Sequence, residues 1–223
     1  MRRALLAVLS AASITAFAQA PPPQWPDTYL ARVQALALMQ TLNADILGSR
    51  SATRSLEAWC RDHRLASEPR IVAHRLPAAA KTATPEQRER LDVKDGSDVR
   101  YRRVRLACGS NVLSEAETWY VPARLAPEMN RLLEASDTPF GRAVEALQPY
   151  RVTFAVTLLW SPLPEGWERG ATSTSGAPGG TLMIPDALFE HRALLYTREH
   201  RPFAEVVEVY QRQILAFPPP APR

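Results

Sequence analysis

Two periodicities alternate along the chain beyond position 20. Tyr29, Val33, Leu36, Met39 and Ile46 recur near helical spacing, with Asp27 placed to cap that run and Gly48 to stop it. A second helix is expected from about Thr53, where Leu56, Trp59, Cys60 and His63 fall at i, i+3, i+4 and i+7. Thr84-Pro85-Glu86-Gln87 is a helix start with a mechanism: threonine can cap, proline is preorganised at the first helical position, and glutamine stands where a capping box needs it. Pro127-Glu128-Met129 opens a further helix, and Thr138-Pro139 is expected to cap one running towards Leu147.

Strand-like runs occupy 70–76, 99–108, 112–121, 151–160, 188–196 and 203–215. Gly109-Ser110-Asn111 turns the second into the third, and the last two read as a hairpin around Thr197–Pro202. The final run also fits a helix through Phe203, Val207, Tyr210 and Ile214; its clustered valines favour a strand. The expected architecture is α+β, with N-terminal helices and an antiparallel sheet of about six strands carrying helices on one side. It is a single domain over 27–216, flanked by a Pro-rich leader at 21–26 and a Pro-rich tail at 217–223. A Pro/Gly/Ser/Thr loop at 162–180 has the length of a lid or an insertion.

Alternation sets Val104, Leu106 and Cys108 on one strand face and Tyr101, Arg103 and Arg105 on the other. With a three-residue turn, Cys108 faces Val112, Arg105 faces Glu115 and Arg103 faces Glu117. Cross-strand ion pairs on a solvated face, worth about 0.2–1 kcal/mol each, would account for that pattern. The other reading roofs this face with helices, so that guanidinium forks grip a carboxylate-bearing ligand. Glu208 on a strand shares a face with Ala204, Val206, Tyr210 and Ile214. A carboxylate there must be paired or protonated, and a protonated one is a proton donor near neutral pH. On a helix it would instead form a solvated i, i+4 pair with Arg212.

The N-terminus changes the charge picture. Met1-Arg2-Arg3, the apolar run Ala4–Phe17 and Ala18-Gln19-Ala20 have the layout of a secretory signal peptide cleaved after Ala20, which implies a periplasmic or secreted protein. Its removal takes the 27 basic residues to 25 against 23 acidic ones, a net charge of +2 instead of +4. That balance argues against a nucleic-acid partner, and no later segment is apolar for long enough to insert stably in a membrane. Cys60 and Cys108 remain, as a disulfide in an oxidising compartment or as two buried thiols.

Common catalytic motifs are absent: there is no Gly-x-Ser-x-Gly, phosphate-binding glycine loop, His-Glu-x-x-His or Cys-x-x-Cys. His63, His74, His191 and His200 show no metal-ligand spacing, so no metal is expected. What the chain does contain is a set of ordered motifs over roughly Ile71 to Leu215. Tyr101-Arg-Arg-Val-Arg-Leu-Ala-Cys108, the hairpin, Trp119-Tyr-Val-Pro122, Asp137-Thr-Pro-Phe-Gly-Arg142, His191-Arg192-Ala-Leu-Leu and Val207-Glu208-Val-Tyr210 together resemble the chorismate pyruvate-lyase family.

The resemblance implies a six-stranded antiparallel sheet with flanking helices, a largely enclosed ligand site, and elimination of pyruvate from chorismate to leave 4-hydroxybenzoate without metal or organic cofactor. By motif position it implies Arg103 as the carboxylate-binding and catalytic arginine, Glu208 as the catalytic glutamate, and Phe140 and Arg192 in the substrate site. Three departures stand against it. Glu208 lies one residue further from Pro202 than the family spacing, Ser114, Glu115 and Glu117 are polar where members are often apolar, and chorismate is cytoplasmic while the leader implies export.

Three functions follow as expectations: a lyase acting on chorismate or a related enolpyruvyl or aromatic carboxylate, a non-catalytic periplasmic binder of small aromatic carboxylates, and a structural or interaction protein whose arginines pair with Glu115 and Glu117. The sequence does not set the oligomeric state.

Overall fold

The first three helix starts are fixed by short oxygen-bearing side chains, and the first shows how fine the placement is. In the computed structural model, which describes residues 23–77, 79–170 and 179–221, Thr28 rather than Asp27 caps α1 (Tyr29–Gly48), accepting from the Ala31 N–H at 3.2 Å. Asp27, one residue further out, instead accepts from Arg32 Nε at 2.6 Å. The buried stripe of α1 runs Ala31, Ala35, Met39, Leu42, Ile46, so Tyr29 is left exposed. Small alanines let the helix lie close to its neighbours, which the larger expected stripe would not. The expected signal peptide (1–20) and residues 171–178 of the long loop lie outside the described residues.

Ser51 caps α2 (Ala52–Asp62), whose Leu56, Trp59 and Cys60 are buried. A disulfide joins Cys60 to Cys108, 48 residues apart, and so fastens α2 to the sheet. At the end of α2 the His63 ring stacks on Phe217, centroids 4.2 Å apart. The Thr84–Gln87 capping box forms in full at α3 (Pro85–Arg90), with bonds of 3.0 and 3.2 Å.

The strands are β1 (Ile71–Arg75), β2 (Arg100–Cys108), β3 (Asn111–Tyr120), β4 (Tyr150–Leu158), β5 (Ala187–Tyr196) and β6 (Pro202–Gln211). They form one antiparallel sheet in the order β1-β2-β3-β6-β5-β4. Two local meanders, β1-β2-β3 and β4-β5-β6, therefore meet along a central β3–β6 seam. The turn between β2 and β3 is two residues long, Gly109-Ser110, with Gly109 at φ +55°. Cys108 thus faces Asn111 rather than Val112, and a bulge after Leu106 restores the expected opposition of Arg105 to Glu115 and Arg103 to Glu117.

Helices α1, α2, α4 (Pro127–Ala135) and α5 (Phe140–Ala143) pack on one face. The helix expected from Thr138 to Leu147 is only this short α5 followed by a 3-10 turn at Glu145–Leu147, ended by Gln148 at φ +48°. Thr138 does not cap it; its carbonyl is used by Arg102. The helices are not all on one side: the segment around α3 lies on the opposite face, where Ala83 and Leu91 pack on Trp119, Val121 and Leu194. The Arg90–Glu205 ion pair at 2.8 Å fixes it there.

Candidate functional site

Register places Val104, Ala116, Glu208 and His191 in one row across β2, β3, β6 and β5, on the face covered by α1, α2 and α5. Of the two states open to a carboxylate among apolar neighbours, the fold uses pairing. Arg151 Nη2, reaching across β5 from β4, donates to Glu208 Oε2 at 2.7 Å, and the Tyr210 hydroxyl donates to the same oxygen at 3.0 Å. The Arg151 and Glu208 side chains are 3% and 9% exposed. Burial alone would lower the Arg151 pKa; the adjacent Glu208 charge overrides it and holds the guanidinium above its ordinary value. Burial and then Glu208 push the Tyr210 phenol well above its usual range.

His191 completes the cluster. Burial, then the Arg151 charge, lowers its pKa to about 4, so the ring is neutral. Its Nε2 lies 2.7 Å from Asn43 Oδ1, an acceptor, so Nε2 carries the proton. The buried Nδ1 has no partner among the described residues.

A cavity of about 50 Å³ opens beside Glu208 and Arg151, walled by Thr53 at the start of α2, Thr118 on β3, and Phe140 and Gly141 on α5. Gly141 is required by this contact: a Cβ there would stand 2.9 Å from Ser51 Oγ and 3.0 Å from Thr53 Oγ1. Arg50, Ser51, Gly141 and Pro149 also line an outer cleft of about 530 Å³ that reaches Arg54, Glu145 and Gln148. The inner cavity alone has room for a water or two; cavity and cleft together are in the size range of small-molecule sites.

Sequence reasoning missed two arginines, Arg151 on β4 and Arg102 on β2. Arg102 lies opposite the cavity-lining Thr118, on the same sheet face as Glu208, and is 6% exposed. Its Nη2 donates to the Thr138 carbonyl at 3.0 Å, while Nε and Nη1 are buried with no partner among the described residues. Burial, with Arg75 nearby, lowers its pKa to about 10. Arg102 and Glu208 are two strands and two residues apart, about 12 Å between Cα atoms by sheet geometry; Arg102 itself does not line the cavity but stands behind Thr118, which does.

Phe140 shares this cavity with Glu208, but Arg103 and Arg192 do not. Both lie on the opposite face, because successive strand residues alternate. Arg103 Nη2 and Arg105 Nε both donate to Glu115, at 3.0 and 2.8 Å, while Glu117 accepts from Lys81 and the Tyr101 hydroxyl at 2.5 and 2.6 Å. Arg192 donates to Glu190 at 2.8 Å. Arg103 and Arg105 serve ion pairs beside a broad depression, and the shared site of Arg103 with Glu208 is corrected accordingly. The signal for Arg102 was in the alternation: a residue two before Val104 must share the face of Glu208. Among the described residues no three His, Cys, Asp or Glu side chains gather as a metal set.

No family model matches the sequence. Similar solved structures include the effector domain of PhnF from Mycobacterium smegmatis, 15% identical, covering 74% of this chain and 91% of that one with a TM-score of 0.48. PhnF itself, from the same organism, is 14% identical, covering 86% of each chain with a TM-score of 0.49. The uncharacterised protein y4mC of Sinorhizobium fredii is 45% identical over 217 residues, 97% of this chain and 91% of that protein. The chain belongs to the family of y4mC.

Proposed function

We propose that the chain binds a small aromatic carboxylate on the helix side of its sheet, with Arg102 receiving the carboxylate and the Thr53–Thr118–Phe140 wall receiving the ring. The observation that carries this reading is the pair of buried Arg102 nitrogens, without a partner among the described residues, on the face that also presents Glu208. A buried guanidinium is costly without an anion, and a ligand carboxylate can supply two parallel acceptors. The ring needs more room than the inner cavity gives, so binding parts the N-terminus of α2 from α5 and joins the cavity to the outer cleft.

Calorimetric titration with benzoate and 4-hydroxybenzoate tests it. Binding is expected in the parent chain and at least tenfold weaker in Arg102→Met, with Arg103→Met unchanged. Equal affinity in folded Arg102→Met, or loss only in Arg103→Met, overturns it.

A second reading is favoured by Phe140 and Glu208 sharing one cavity, as the resemblance to chorismate pyruvate-lyases implies. Chorismate would lose its ring C3–O ether bond and its C4 proton, giving 4-hydroxybenzoate and enolpyruvate, which becomes pyruvate. In that reading Glu208 takes the C4 proton, its Oε2 being held by Arg151 and Tyr210. Chromatography of a chorismate incubation decides it: product above the spontaneous background that disappears in Glu208→Gln supports the lyase, and binding without product leaves the binder.

A further inference from the structure

The two edges of the sheet are finished differently. β1 is five residues long, carries His74 and Arg75, and its Ala73 N–H donates to the Asp137 carbonyl at 2.9 Å, so the chain itself caps that edge. β4 is nine residues, roughly 30 Å at the usual rise, and pairs with β5 alone among the described strands. No residue from Val152 to Pro164 is charged. Val152, Phe154, Val156, Leu158 and Leu159 are each 43–46% exposed.

These apolar residues do not share a face. Val156 and Leu158 stand beside Met39, Gln40 and Asn43 of α1, whereas Phe154 lies under the Arg90 guanidinium of α3 at 5.0 Å. A partner packed on either face would cover one group and leave the other in water. A strand added at the edge carries side chains to both faces and covers both.

We propose that β4 is the seam of a homodimer, in which the β4 strands of two copies pair antiparallel about a two-fold axis and join the sheets into one. An antiparallel edge is self-complementary, and a two-fold contact closes the assembly. Charge favours a second copy as the occupant: β4 laid against itself brings no like charges together, because its one charged side chain, Arg151, is turned inwards to Glu208. The register shift between Thr153 and Ala155 leaves Ala155–Leu158 as the regular stretch for pairing. Covering five half-exposed apolar side chains removes roughly 400 Å² per copy, and with the backbone strip about 1,000 Å² in all, the threshold of a specific interface. This inference is independent of the ligand reading.

Sedimentation velocity of the purified chain at micromolar concentrations tests it. The parent chain is expected at the mass of two copies, and Val156→Lys/Leu158→Lys at the mass of one with an unchanged circular dichroism spectrum. If that double variant does not fold, Thr157→Lys sets lysine against lysine across the seam and reads the same. A parent chain that is monomeric throughout, an open-ended oligomer, or a dimer that persists in a folded lysine variant overturns the proposal.

Discussion

Arg151 and Glu208 meet at 2.7 Å across an intervening strand, each nearly sealed from water. Neither charge is tolerable there without the other. Arg151→Ala should therefore destabilise the fold by about 3–5 kcal/mol, because it strands a buried carboxylate. The double replacement Arg151→Met/Glu208→Leu should be far milder than Arg151→Ala alone. Urea midpoints of the two variants check this, and a double variant as unstable as the single would contradict it.

Arg102 predicts the opposite sign. Among the described residues its guanidinium has one hydrogen-bond partner where it could have several. Arg102→Met should raise unfolding stability by roughly 1 kcal/mol while removing carboxylate binding, since apolar replacement of a poorly satisfied buried charge is neutral or stabilising. Thermal denaturation without ligand reads the first effect and titration the second. A marked loss of stability would show that the guanidinium is a structural strut.

His191 sets a pH dependence. Its pKa is about 4 in the folded state against an ordinary 6.5, and it faces Arg151, Glu208, Tyr210 and Asn43. The unfolded chain binds a proton that the folded chain refuses, so this group lowers stability as pH falls from about 6.5 to about 4 and contributes no slope above that window. Urea midpoints at about pH 7.5 and about pH 5 should differ less in His191→Gln than in the parent.

The Cys60–Cys108 bond closes a 48-residue separation. Chain-entropy arguments give about 4 kcal/mol for a loop of that length. Cys60→Ala/Cys108→Ala should lose much of that, while thiol titration of the denatured, unreduced parent finds no free thiol.

Much of the fold was legible because local chemistry and tertiary demand agree in it. The Thr84–Gln87 box and the strand at Val207-Glu208-Val-Tyr210 follow from short-range rules, whereas the opposition of Arg103 to Glu117 survives a shorter turn only because a bulge after Leu106 compensates it. The site was less legible. Arg102 and Arg103 are adjacent, and which one enters the interior depends on pairing with β3 and β6, more than ninety positions away in the case of β6. Arg151 became visible only once β4 was placed beside β5. The crossing of α3 to the far face left no periodic trace, since its anchors are scattered: Ala83 and Leu91 in a small apolar cluster, and Gln87 and Arg90 on Glu205.

The central β3–β6 seam has a kinetic consequence. Each meander is built from near neighbours in sequence and can form early, but the seam joins residues 114–120 to 204–210 and has to wait for the costly closure of a long loop. Val104, Ala116 and Thr118 of the cavity wall belong to one meander, Arg151 and Glu208 to the other. The pocket is consequently created at the last docking event, and a ligand that needs both halves would distinguish the finished molecule from any half-assembled intermediate.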